Sequence, residues 1–304
     1  MATLMPLEQV IARVPQWVGA GDLKTSILGG GITNQNFLIE TGGQSFVLRI
    51  PGANTELLGI NRQHEHAANL LAGRLGIGPE VVYFIEPEGY LVTLFIAGRP
   101  IRQVEMREPQ TIRLVAETLH KVHAMPEIPG EFWVPRIVED YTRIAKRYDV
   151  AFPKNFDWLV ERLGEVEAAL QAKPFALRPC HNDLLNENFL YDGQIRILDW
   201  EYAGMGDPYF DLANFSVNHD FADDHDRHLL SDYFGEVTSV NWARLKIMKI
   251  VSDFREAMWG TVQMGISKLD FDFGEYASKH FDRLTKNIQD PRWEQWIKEI
   301  SQHA

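Results

Sequence analysis

Cysteine is almost missing from this sequence: Cys180 is the single one among 304 residues. One thiol closes no intrachain disulfide, and a zinc centre built from several cysteines is excluded with it. Long apolar runs are missing too. The best candidate, Val81 to Gly98 (VVYFIEPEGYLVTLFIAG), is broken by two glutamates and a proline. It falls short of the ~18 apolar residues that a bilayer-spanning helix needs. Basic excess is absent: 30 Lys and Arg stand against 42 Asp and Glu, a net charge of −12. That disfavours broad binding to nucleic acid or to an anionic membrane, both of which select basic surface. The opening residues, MATLMPLEQVIARV, carry no basic leader ahead of an apolar stretch. A secretory signal is therefore not expected, and the expected location is the cytoplasm. No internal repeat and no low-complexity tract is found.

What remains is an ordinary globular composition, 45% hydrophobic and 24% charged. At ~100–200 residues per domain the length allows two domains or one large one. The first third reads as strands around one helix. Asn36–Glu40 and Ser45–Ile50 flank Thr41-Gly42-Gly43, a hairpin signal. Thr55–Leu75 places apolar residues at helical spacing and stops at Gly76 and Gly78-Pro79. Val81–Ile85 and Tyr90–Ile96 form a second hairpin across Glu86-Pro87-Glu88-Gly89.

After Ala97-Gly98 helical periodicity takes over, in Glu108–Met125, Arg136–Asp149, Asn155–Ala172, Pro208–Asn218, His225–Tyr233, Asn241–Ile266 and Phe273–Ile288. A strand-like, turn-rich island, Phe175–Leu198, lies between them. The expected fold is α+β and bilobal: a small antiparallel sheet lobe over residues 1–97 and a larger, mainly helical lobe over 98–304. A cleft between lobes is the default ligand site. The first 97 residues hold five basic and eight acidic side chains, so most of the negative excess lies in the helical part.

The island carries the chemistry. His181-Asn182-Asp183-Leu184-Leu185-Asn186-Glu187-Asn188 fits H-x-D-x-x-x-x-N, the catalytic loop of protein-kinase-like enzymes. In that pattern Asp183 orients a hydroxyl and accepts its proton, and Asn188 offers a neutral oxygen to magnesium. Phe189–Tyr191 and Ile195–Leu198 then form a short strand pair ending on Asp199, the position of a second metal ligand. Taken singly, each of these is an ordinary turn or capping residue. Base, amide, hairpin and second carboxylate in this order are a much more specific signal.

With Ile197-Leu198-Asp199-Trp200-Glu201-Tyr202-Ala203-Gly204, the loop resembles the choline and ethanolamine kinase family. That family lies within the aminoglycoside phosphotransferase-like group, which has a protein-kinase-like fold. The resemblance extends over nearly the whole chain. Gly29-Gly30-Gly31-Ile32-Thr33-Asn34 is similar to its nucleotide loop, and Phe46-Val47-Leu48-Arg49-Ile50 to the strand bearing a phosphate-binding cation. The resemblance implies ATP and Mg2+ as cofactors, with Gly30, Gly31, Thr33, Asn34 and Arg49 at the nucleotide. Glu65, or else Glu56, would orient Arg49. Arginine forks onto phosphate oxygens, so it is a chemically reasonable replacement for the usual strand lysine. Asp211 would brace the catalytic loop beside His181, while Asp207, just before Pro208, reads as a helix cap. Cys180 reads as an inert, partly buried thiol.

For the acceptor, the resemblance implies acidic and aromatic groups around an amine: Glu201, Tyr202 and Trp259. Aromatic faces bind ammonium at ~0.5–2 kcal/mol per contact. Eukaryotic-type choline kinases have a second Trp three residues after the first, where this chain has Val262. That leaves room for ethanolamine or another amino alcohol. Two other readings stay open: a phosphotransferase for an aminoglycoside, thiamine or a sugar, and a nucleotide-binding regulator without catalysis. The intact Asp183, Asn188 and Asp199 speak against the regulator. No oligomeric state follows, and a homodimer is compatible with the sequence.

Overall fold

The computed structural model describes residues 5–29, 34–173 and 175–303. Five strands make the small sheet: β1 (Lys24–Leu28), β2 (Asn34–Thr41), β3 (Gln44–Pro51), β4 (Val81–Ile85) and β5 (Tyr90–Leu94). They pair antiparallel in the order β1-β2-β3-β5-β4. Thr41 pairs with Gln44, so the β2–β3 turn is Gly42-Gly43 alone. Both glycines have positive φ, 57° and 74°, as the tight hairpin turn requires. A short helix, α1 (Leu7–Ile11), precedes the sheet. Val10, Val14 and Trp17 of this leading segment pack on Ile39, Phe46, Leu48 and Val92, which forms the small lobe's own core.

The helix expected over 55–75 is two pieces. Thr55–Leu58 is a single 3-10 turn, and α2 begins at Arg62 and runs to Arg74. Asn54 and Gly59 adopt left-handed φ (63° and 76°), which ends the first piece. The Asn61 side chain then caps the second by accepting from the Gln63 and His64 amides.

The larger lobe holds α3 (Pro109–His123), α4 (Val134–Arg147), α5 (Phe156–Gln171), α6 (Pro208–Asn218), α7 (Asp223–Phe234), α8 (Ser239–Ile266), α9 (Phe273–Ile288) and α10 (Trp293–His303). Short strands occupy the predicted island and its margins: β6 (Arg99–Pro100), β7 (Arg178–Cys180), β8 (Phe189–Tyr191), β9 (Ile195–Ile197) and β10 (Gly204–Gly206). β6 pairs with β8, β8 with β9, and β7 with β10. Helix α8 runs through the middle of the lobe against α4, α6, α9 and α10. It is buried over most of its circumference, so its polar side chains must find partners inside the protein.

The two cores do not divide at residue 97. Leu58, Ile60, Ala68, Ala72 and Ile77 belong to the larger one. Tyr141 of α4 donates to the Leu58 carbonyl at 2.9 Å. Gly78 lies so close to the larger lobe that a Cβ there would sit 2.9 Å from the Ala72 Cβ and 3.1 Å from the Trp200 Nε1. Among the described residues no helix is long and apolar enough to cross a membrane.

Candidate active site

The loop after β7 is held from behind by one carboxylate. Asp211, fully buried on α6, accepts from the His181 amide at 2.9 Å and the Asn182 amide at 2.7 Å. It also pairs with His123 Nε2 at 3.0 Å. One turn further on, Asn214 accepts from the Leu184 amide at 2.6 Å. Helix α6 thus grips the backbone on both sides of Asp183 with side chains three residues apart, which share a helix face. His181 is turned inward: its Nε2 donates to the Leu198 carbonyl at 2.9 Å, and its ring meets Trp200 edge-on. Burial lowers its pKa, so the imidazole is neutral and ties the loop to the hairpin that follows. Asp207 caps α6 through the Tyr209 amide at 3.0 Å and pairs with Arg244 at 2.6 Å. Cys180 is fully buried, and burial raises its thiol pKa.

Asp183 and Asn188 meet directly. The Asn188 Nδ2 donates to the Asp183 carbonyl at 2.8 Å and to its carboxylate at 3.3 Å. Burial pushes the Asp183 carboxyl up to about 8, against the pull of Arg255 and with a further push from Glu256, Asp199 and Glu201. The β8–β9 hairpin returns to the same place, because the Leu198 amide donates to the Asn188 carbonyl at 2.8 Å. Asp199 follows with φ 59°, a left-handed conformation that Asp tolerates better than most residues. Desolvation, followed by the neighbouring Glu201, raises its carboxyl to about 6, and Arg49 and Arg62 oppose this.

Three carboxylates, Glu65, Asp199 and Glu201, converge with oxygens within 4.8 Å of one another. Two arginines hold them together. Arg49 of β3 pairs with Asp199 at 2.7 Å and with Glu65 of α2. Arg62 pairs with Glu65 at 2.7 Å and with Glu201 at 3.1 Å. Asn34 donates to Glu201 at 2.9 Å and accepts from Arg62 at 3.3 Å. The cluster therefore bridges the sheet, α2 and the Asp199–Glu201 turn. Gly30, Gly31 and Thr33, also expected at this end, lie outside the described residues.

On the other side of Asp183, Trp259 donates to the Tyr202 hydroxyl at 3.0 Å. Trp259 meets Phe273 and Tyr276 edge-on, at 5.7 and 5.6 Å between ring centres. Tyr202 and Trp259 are thus brought together, while Glu201 faces Asn34 and Arg62 on the small-lobe side. Several participants were not singled out from the sequence: His123, Arg62, Asn214 and the adjacent Arg255 and Glu256. The last two had a visible signal, as charged residues within the apolar run IVSDFREAMWG.

The family model described as "Phosphotransferase enzyme family" matches residues 24–247. The chain is also 31% identical to a choline/ethanolamine kinase family protein from Mesorhizobium loti. The two structures superpose with a TM-score of 0.83, covering 96% of this chain and 97% of that one. The chain belongs to the choline/ethanolamine kinase family of phosphotransferases. This phosphotransferase is 28% identical to protein LicA of Haemophilus influenzae over 276 residues, 86% of this chain and 79% of that one. It is 25% identical to human ethanolamine kinase 2 over 313 residues, with 90% and 78% covered. The expected bilobal α+β fold and the assignment as a small-molecule kinase both hold.

Proposed function

We propose that this phosphotransferase moves the γ-phosphoryl group of ATP, bound with Mg2+, onto the hydroxyl of choline, ethanolamine or a related amino alcohol in the cytoplasm. One observation carries the reading: a buried Asp183 bonded to Asn188 lies beside an Asp199 that is held by Arg49. Phosphoryl transfer needs a group to receive the hydroxyl proton and a way to offset negative charge on the phosphate oxygens. Asp183 supplies the first. Its carboxylate accepts the acceptor's hydrogen bond and takes the proton as the new O–P bond forms and the bond to ADP breaks.

The donors present suit magnesium, which selects oxygen ligands and few carboxylates. Asp199 brings a carboxylate. Asn188 spends its amide nitrogen on Asp183, which leaves its oxygen for the ion. Among the described residues three carboxylates and two guanidiniums meet beside Asp199. When bound, the ion would neutralise charge on the transferring phosphate.

On this reading residues 1–97 hold the nucleotide through Gly30, Gly31, Thr33, Asn34 and Arg49, with Glu65 orienting Arg49. Residues 98–304 carry catalysis and the acceptor. Tyr202 and Trp259 present aromatic surface to the acceptor's ammonium end, while Glu201, expected beside them, is engaged with Asn34 and Arg62 on the small-lobe side. His181 and Asp211 keep the loop in shape.

The test is ADP release against a panel of choline, ethanolamine, thiamine and an aminoglycoside. We expect turnover with choline or ethanolamine, and inactivity towards both overturns the acceptor assignment. Asp183→Asn is expected to lower turnover by ~10²–10⁴ while ATP binding is retained. Near-normal turnover in that variant removes Asp183 from the role of base.

A further inference from the structure

We infer that Arg255 is a positioning residue for phosphoryl transfer, setting the Asp183 carboxylate and the Tyr202 ring in one fixed relation. Arg255 lies on α8 with 2% of its surface exposed. Its Nη1 is 2.8 Å from Glu256 and 3.4 Å from Asp183. The same guanidinium sits over the Tyr202 ring, with Cζ 4.3 Å from the ring centre. One side chain thus touches both the residue assigned as base and a residue assigned to the acceptor. The inference rests on those assignments and adds a residue to them.

A buried cation needs a counter-charge, and Glu256 alone would provide one. The remaining geometry goes beyond that need. Nε and Nη2 of Arg255 have no hydrogen-bond acceptor among the described residues. The group sits over the Tyr202 ring instead of satisfying them, so its charge is spent on that ring face as well as on the two carboxylates.

Glu256 in turn is fixed from two sides. Tyr276 of α9 donates to it at 2.8 Å and Asn214 of α6 at 3.1 Å. Asn214 is the residue that holds the Leu184 amide, next to Asp183. Helix α8 therefore reaches the catalytic loop along two routes: Arg255 meets the Asp183 side chain, and Glu256 through Asn214 meets the adjoining backbone. A displacement of about 1 Å in a reacting group can cost ~10²-fold in rate, and this double attachment opposes such a displacement.

The test is a double-mutant cycle between Arg255 and Asp183. Arg255→Met is expected to lower kcat by ~10²-fold with KM for ATP changed by less than about threefold. In an Asp183→Asn background the same change is expected to cost less than about threefold, because the carboxylate it positions is gone. Arg255→Lys is expected to recover part of kcat, and it replaces Arg255→Met in the cycle if the latter does not fold. A full loss in both backgrounds overturns the inference, as does a loss confined to KM for ATP or a kcat within about threefold of the parent. ADP release with water as the sole acceptor reads the same coupling. A wrong acceptor class is thereby told apart from a wrong role for Arg255.

Discussion

Arg49 on β3 and Asp199 beyond β9 face each other across the cleft at 2.7 Å, and Arg49 also reaches Glu65 on α2. The cation assigned to phosphate and the carboxylate assigned to metal are partners in this structure. Each keeps the other in place. Arg49→Met is expected to weaken ATP binding by about 10–100-fold, the loss of one or two charge-assisted hydrogen bonds. Arg49→Lys should fall between this variant and the parent. Calorimetric titration of ATP without acceptor checks both, and unchanged affinity in Arg49→Met removes it from the nucleotide site.

Asp211 serves three donors at once: the His181 and Asn182 amides and His123. Asp211→Asn removes the charge and turns an NH2 group toward buried donors. It is expected to cost roughly 2–4 kcal/mol of stability. Turnover should fall with it, since the loop backbone loses its anchor. Urea unfolding together with kcat tests this, and a stability change below about 0.5 kcal/mol contradicts it.

Gly260 is where α8 and α9 touch. A Cβ there would stand 3.0 Å from the Tyr276 Cδ1 and 3.2 Å from the Ala277 Cβ. Gly260→Val is expected to destabilise by ~1–3 kcal/mol through overpacking. It should also raise KM for the acceptor, because Trp259 and Tyr276 are displaced, and leave KM for ATP unchanged. Equal rises in both constants would point to general loosening.

His219 is buried among Phe189, Phe215 and Phe221. Burial lowers its pKa from 6.5 to about 4. Between those values the unfolded chain binds a proton that the folded protein refuses, so stability falls as pH drops from 6.5 towards 4. The contribution lost is on the order of 3 kcal/mol. His219→Phe should flatten the decline in this window, as measured by urea unfolding at a series of pH values. A decline as steep as the parent's would assign the acid sensitivity to other groups.

Elements with strong ends were legible from the sequence. Val81–Ile85, Pro208–Asn218 and Phe273–Ile288 begin and end where expected. Proline sits in the first turn of α6, and Asp207 and Asp272 cap α6 and α9. β1 was missed because, as an edge strand, it has no buried face to impose alternation; its Ile27 is 81% exposed. β10 was missed because Gly-Met-Gly offers no strand propensity. α10 does carry apolar residues at helical spacing, Trp293, Trp296 and Ile300, and went unread. At the site, Asp183, Asn188 and Asp199 were readable because they lie within one short segment. Arg62, His123, Asn214 and Arg255 reach the same point from four separate helices. Nothing local in sequence marks that meeting for Arg62, His123 and Asn214; Arg255 alone stands out, as a charge within an apolar run.

Helix α2 is the feature with the widest consequence. It is threaded through the small lobe, yet Ala68 and Ala72 are embedded in the larger core. Glu65, buried on the cleft side of the same helix, is bound to Arg49 and Arg62. The helix therefore behaves as a fixed jaw belonging to the catalytic body, and the sheet is the counterpart that clamps against it. A shift of the sheet against α2 would break the buried Arg49–Glu65 pair before it disturbed the packed interior.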